Sequence, residues 1–125
     1  MKLLLDTHVV LWWLDDQNLI AEDAVEAISG PENLVLVSAV VAWEIAIKRA
    51  LGKLTAPHNF EAAIASAGFE QLPITLSHAL SIEALPEHHR DPFDRLLVAQ
   101  AKFESCTLVT RDDTVKKYAV DIMDA

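Results

Sequence analysis

Lys2-Leu3-Leu4-Leu5-Asp6-Thr7-His8 decides the fold. Three consecutive leucines leave no polar face, so the run reads as a strand covered on both sides, the pattern of a parallel sheet. The run ends at an acid. In open α/β sheets, ligands bind just past the C-terminal ends of parallel strands. Asp6 therefore has two readings, a ligand at such an end or the N-cap of the next helix.

Working outward, His8 to Leu14 reads as a helix, and Asp15 to Asn18 as a polar break. Ala21 to Ser29 reads as a second short helix, stopped at Gly30-Pro31. Asn33 to Val37 is the next strand. Ser38 can cap a long helix from Ala39 to Leu51, with Gly52 as its stop. Pro57 to Ala67 suits another helix closed by Gly68, and Phe69 to Ile74 carries a strand that Pro73 assigns to an edge. Leu76 to Leu85 is helical, Pro86 to Asp91 a polar loop, and Pro92 to Glu104 a helix with Pro in its first turn. Thr107 to Val109 is a strand, Asp112 to Tyr118 a short helix and Val120 to Met123 a last edge strand. Strands alternating with helices predict an α/β fold in three α/β/α layers, with a central, mostly parallel sheet and the first strand in its middle.

The totals narrow the function. A length of 125 residues predicts one domain over 1–125, with 52% hydrophobic residues to fill its core. The single cysteine, Cys106, excludes an internal disulfide and a Cys-based zinc site, and fits a reducing compartment. Met1 to Leu5 resembles the start of a signal peptide, but Asp6 and His8 interrupt it and no small-residue cleavage site follows. No apolar run reaches membrane-spanning length. The expectation is a cytoplasmic protein without membrane contact. A net charge of −9 argues against a bulk electrostatic grip on nucleic acid. It leaves room for a nucleic-acid enzyme whose acids are clustered and neutralised by metal.

Three further acids share an address with Asp6. Glu44 lies on its helix among Val40, Val41, Ile47 and Leu51, inside the apolar stripe. A carboxylate aimed at a core needs a partner, and Lys48, four residues on, is one candidate. Asp94 has Leu97, Val98 and Ala101 as helical neighbours, while Asp91 is placed to cap the same helix. Asp91 is the competing ligand there. Asp112 follows a strand as Asp6 does, with Asp113 read as a cap of the next helix and as the competing ligand. Two carboxylates about 5 Å apart at an effective dielectric of about 20 repel by roughly 3 kcal/mol. A converging quartet must bind a cation or hold protons. All-oxygen ligation suits Mg²⁺ or Mn²⁺, and with it metal-assisted phosphodiester hydrolysis. Thr7 and Thr110 could hydrogen-bond a water or phosphate there, or be ordinary strand-end hydroxyls. Arg90 and Arg95 could hold a phosphate, or pair with a local acid. His8, His88 and His89 could serve as general acids, or simply be solvated or hydrogen-bonded. Trp12, Trp13 and Trp43 read as packing or partner contacts, with base stacking as the alternative.

Leu-Leu-Leu-Asp6-Thr-His, Ser38-Ala-Val-Val-Ala-Trp-Glu44-Ile, His89-Arg-Asp-Pro-Phe-Asp94-Arg-Leu-Leu and Leu108-Val-Thr110-Arg-Asp112 resemble, in order, the successive motifs of PIN-domain ribonucleases. They are most similar to the VapC-type toxins of bacterial toxin–antitoxin pairs, over nearly the whole chain. The resemblance implies a Mg²⁺- or Mn²⁺-dependent endoribonuclease. It also implies a homodimer and an inhibitory cognate antitoxin. Asp6, Glu44, Asp94 and Asp112 fall on that family's acidic quartet. Three competing readings are a receiver-like signalling domain, a non-catalytic PIN-like binding module and an Asp-nucleophile phosphatase. The last lacks a second Asp two residues after Asp6.

Overall fold

A computed structural model describes residues 1–125. β1 (Lys2–Leu5) is followed by α1 (Thr7–Asp15), α2 (Glu22–Ser29) and β2 (Leu34–Ser38). Next come α3 (Ala39–Ala50), α4 (Phe60–Ser66), β3 (Glu70–Leu72), α5 (Leu76–Ser81) and α6 (Pro92–Phe103). β4 (Thr107–Thr110) and β5 (Asp121–Asp124) complete the chain. The sheet has the order β3-β2-β1-β4-β5, and every pairing is parallel. The fold is thus the expected α/β/α arrangement, with a sheet that is wholly rather than mostly parallel.

β1 is central for the reason its sequence gives. Leu3, Leu4 and Leu5 are fully buried, since both faces of a central parallel strand are covered. Leu3 pairs with Val35 on one side and Thr107 on the other. The strand order reverses at β1. One run of crossovers proceeds through β2 to β3, and the other through β4 to β5. The crevice above the C-terminal ends of β1 and β4 is therefore the switch point where open sheets take ligands.

Helix boundaries follow local chemistry. Ser38 caps α3 by accepting from the Val40 N–H at 3.0 Å. Gly52 (φ 69°) and Gly68 (φ 81°) adopt the left-handed conformation just after α3 and α4. Three expectations need correction. The helix expected over Pro57–Ala67 forms only over Phe60–Ser66, because the carbonyls of Ala56 and Pro57 are taken by the Arg49 guanidinium. The helix expected over Asp112–Tyr118 is a 3₁₀ turn, Val115–Lys117. It is preceded by an Asx turn in which Asp112 Oδ1 accepts from the Thr114 and Val115 N–H groups. Asp113 is therefore no cap; its side chain is exposed beside Lys116. On α3 the buried stripe is Val40, Val41, Glu44 and Ile45, whereas Ile47 and Leu51 face solvent with Trp43. Two apolar rows run along this helix, and sequence periodicity alone merged them.

A buried polar network ties the outer helices to the sheet. Ser38 Oγ donates to Gln100 Oε1, and Gln100 Nε2 donates to the Pro73 carbonyl and to His78 Nδ1. His78 Nε2 reaches Glu104 Oε2 at 2.9 Å. Gln100 and His78 are buried with no unsatisfied side-chain atom, as buried polar groups require.

Candidate metal centre

The rim of the switch point is built from two strand ends. The Asp6 N–H donates to the Val109 carbonyl at 3.1 Å, carrying the β1–β4 ladder one step past β1. That step sets Asp6 beside Thr110, whose hydroxyl donates to Asp6 Oδ2. Asp6 Oδ1 accepts from the Val9 N–H at 3.0 Å, so the residue also caps α1. The capping reading of Asp6 therefore holds, with the carboxylate standing at the strand end. Burial pushes its carboxyl above the usual range; the bonds from Thr110 and Val9 oppose that, and Asp112 adds to it. The Asp112 N–H in turn donates to Thr110 Oγ1 at 3.1 Å.

α3 brings the third acid. Glu44 Oε1 accepts from the Thr7 hydroxyl at 2.6 Å, and Glu44 Oε2 lies 2.6 Å from Lys48 Nζ. The carboxylate is buried, at 7% side-chain exposure, and the ammonium stands at the rim, at 38%. The expected contest between a core-facing Glu44 and a Glu44–Lys48 pair is resolved by both occurring at once. Thr7 and Thr110 do not present free hydroxyl protons to a substrate. Each donates to an acid and fixes its orientation.

α6 brings the fourth. Asp91 Oδ1 accepts from the N–H groups of Phe93 and Asp94, capping the helix as expected. Asp94 projects from the first turn, with Oδ2 2.9 Å from His89 Nε2. Its pKa is pushed up to about 7, by burial first and then by the charges of Asp91, Glu44 and Asp112, with His89 opposing. The four expected acids are thus electrostatic neighbours: Asp94 senses Glu44 and Asp112, and Asp6 senses Asp112.

His89 is the residue that sequence reasoning underrated. Its Nδ1 accepts from the Asp91 N–H at 3.2 Å, so the proton of the neutral ring sits on Nε2. Nε2 faces Asp94 at 2.9 Å and Asp112 at 3.6 Å. Ligand atoms of His89, Asp94 and Asp112 lie within 4.8 Å of one another. The available signal was spacing, since His89, Asp91 and Asp94 fold around one helix N-terminus. The basic candidates separate. Arg95 donates to the carbonyls of Pro86 and Ile82 and to Tyr118 Oη, so its guanidinium is tied within the chain. Arg90 is exposed. Trp12 and Trp13 pack against the core, as expected. Trp43 is 49% exposed and meets Phe93 edge-on.

This donor set suits a hard divalent cation. Carboxylates are held close against their repulsion, and one of them is pushed up to about 7, by burial first and then by its acidic neighbours.

Comparison with known proteins follows the same lines. Residues 3–121 match the family described as PIN domain. No curated protein matches the chain. The fold is similar to VapBC2 from Rickettsia felis bound to a promoter DNA fragment, at 15% identity and TM-score 0.75 over 99% of this chain and 98% of that one. It is similar to DNA-bound VapBC from Salmonella typhimurium, at 18% identity and TM-score 0.72 over 99% and 98%. It is also similar to FitAcB from Neisseria gonorrhoeae, at 19% identity and TM-score 0.64 over 97% and 96%.

Proposed function

This chain belongs to the PIN domain family, and from that premise we propose that it is a Mg²⁺- or Mn²⁺-dependent endoribonuclease acting as the toxin of a toxin–antitoxin pair. The observation that supports the reading is the cluster of His89, Asp94 and Asp112 at the switch point, with Asp94 raised to about 7 by burial first and then by like charges that include Glu44. A purely structural cluster would gain by losing Asp94, which caps no helix and anchors no turn, unlike Asp6, Asp91 and Asp112.

In this reading Asp94 and Asp112 hold the ion, with Asp6 and Glu44 completing the negative field. When bound, a divalent cation supplies Lewis acidity, lowering the pKa of an attacking water and neutralising charge on the phosphate. The chain's own part is orientation. Thr110 fixes Asp6, Thr7 fixes Glu44, and the N–H groups of Thr114 and Val115 fix Asp112. Asp94 gives up its proton when positive charge arrives. Arg90, exposed next to the site, meets the RNA backbone. Family membership sets the receiver-like and phosphatase alternatives aside.

The partners proposed are a cognate antitoxin and a second copy of the chain. The similar structures include VapBC toxin–antitoxin complexes. Exposed apolar side chains such as Leu76, Leu80 and Phe103 offer surface for such contacts. No helix is long and apolar enough to cross a membrane, and the proposed site of action is the cytoplasm, in one domain spanning 1–125.

The test is cleavage of a total RNA pool by purified, antitoxin-free protein with Mg²⁺, Mn²⁺ or chelator, and with Asp94→Asn as control. Discrete metal-dependent fragments, reduced at least a hundredfold in the variant, are expected. Measurable metal binding with no cleavage of any RNA would instead favour a non-catalytic module.

A further inference from the structure

Glu44 differs from the other three acids in being paired with a lysine ammonium. Both oxygens have donors at 2.6 Å, the Thr7 hydroxyl and the Lys48 ammonium. The cluster of ligand atoms close enough to share an ion comprises His89, Asp94 and Asp112, and includes nothing from α3. Room for a divalent ion therefore lies on the α6–β4 side, while positive charge already sits on the α3 side. Lys48 is held protonated by its bond to Glu44 and, at longer range, by the charges of Asp91 and Asp94. An ammonium has three protons. One goes to Glu44 Oε2, and at 38% side-chain exposure the others are open to a ligand arriving from solvent.

We propose that the Lys48 ammonium is the fixed second cation of this site: it occupies the place beside Glu44 that a second metal would need, leaves room for one divalent ion at Asp94 and Asp112, and donates its remaining protons to a phosphate oxygen of the RNA. Glu44 is then a positioning residue that aims Lys48, rather than a metal ligand. The phosphate contact rests on the nuclease reading; the ion count does not.

The experiment counts ions first. Purified protein is titrated with Mn²⁺, and free ion is followed by electron paramagnetic resonance. One Mn²⁺ per chain is expected, and it is lost in Asp94→Asn. Two Mn²⁺ per wild-type chain would overturn the proposal without any variant. Lys48→Met, which leaves Glu44 unpaired, is expected to admit a second Mn²⁺, and Lys48→Arg to keep the count at one. A folded Lys48→Met protein that still binds one ion overturns it. Should Lys48→Met not fold, Glu44→Gln/Lys48→Met removes the orphaned charge with its partner and serves in the second arm.

That arm measures affinity for single-stranded RNA against KCl concentration, in the cleavage-deficient Asp94→Asn background. Loss of Lys48 is expected to make the log–log slope shallower by about 0.7, one phosphate contact on a single strand; an unchanged slope refutes the phosphate contact. Failure of every form to bind RNA, with the ion count as expected, would sink the nuclease reading and leave the cation assignment standing.

Discussion

His78 and His89 each place Nε2 2.9 Å from a carboxylate oxygen, on Glu104 and Asp94 respectively. Around His78 the network is closed. Its Nδ1 accepts from the Thr75 N–H and from Gln100 Nε2, the ring is buried, and Glu104 is its one acid. Around His89 the network is open. One imidazole faces two carboxylates, and Asp94 also meets the fields of Asp91 and Glu44. The same pair of side chains is a staple where donors and acceptors balance, and part of a site where acids outnumber donors. The difference lies in the shell, since a buried polar group is costly only when left unmatched.

The largest expected effect breaks the closed side. His78→Ala strands the amide of Gln100 and the N–H of Thr75, and opens a cavity between α5 and α6. It should cost roughly 2–4 kcal/mol in urea unfolding. Mn²⁺ affinity should stay within about twofold, because no atom of that network touches the acids. A large loss of metal affinity in a folded His78→Ala protein would mean the two regions are coupled.

The second effect, smaller and opposite in sign, breaks the open side. Asp94 binds its proton more tightly in the folded protein, near pH 7, than in the unfolded chain, where a carboxyl titrates near about 4. Metal-free protein should therefore lose stability as pH rises from about 4 through 7. Asp94→Asn should remove that dependence, and raise stability by roughly 1–3 kcal/mol at pH 8 and by little at pH 5. Thermal melts in chelator at the two pH values check it; a destabilised variant at pH 8 would count against a shared cluster.

How much of this was legible follows from what each feature needs. Leu3 to Leu5 announced a central strand because burial on both faces leaves a one-dimensional mark. Asp6 and Asp112 could be placed because strand ends in a parallel sheet share a rim. Glu44 and Asp94 showed as acids among apolar helical neighbours. Ile47 and Leu51 misled, because a helix with two apolar rows has no single stripe. Asp112 and Asp113 could not be told apart, since an Asx turn and a helix cap ask for the same residue type. The His78–Gln100–Ser38 network left no trace: its members lie 22 and 62 residues apart and meet only once α5, α6 and β2 are packed.

The smallest effect sharpens the comparison at its centre. His89 is partly exposed, so His89→Ala should change global stability by less than about 1 kcal/mol at pH 5, where Asp94 holds its own proton. Its consequence is electrostatic. His89 lowers the Asp94 pKa against burial, Asp91, Glu44 and Asp112. Without it, Asp94 should titrate above 7, with the variant worth a further roughly 0.5–1 kcal/mol of repulsion at pH 8 in chelator. Mg²⁺ binding must then expel more protons at pH 7, because a larger fraction of Asp94 starts protonated. Calorimetric titration in two buffers of different ionisation enthalpy reads that number directly. Unchanged proton release in His89→Ala would show that the 2.9 Å contact does no electrostatic work, and that His89 resembles His78 after all.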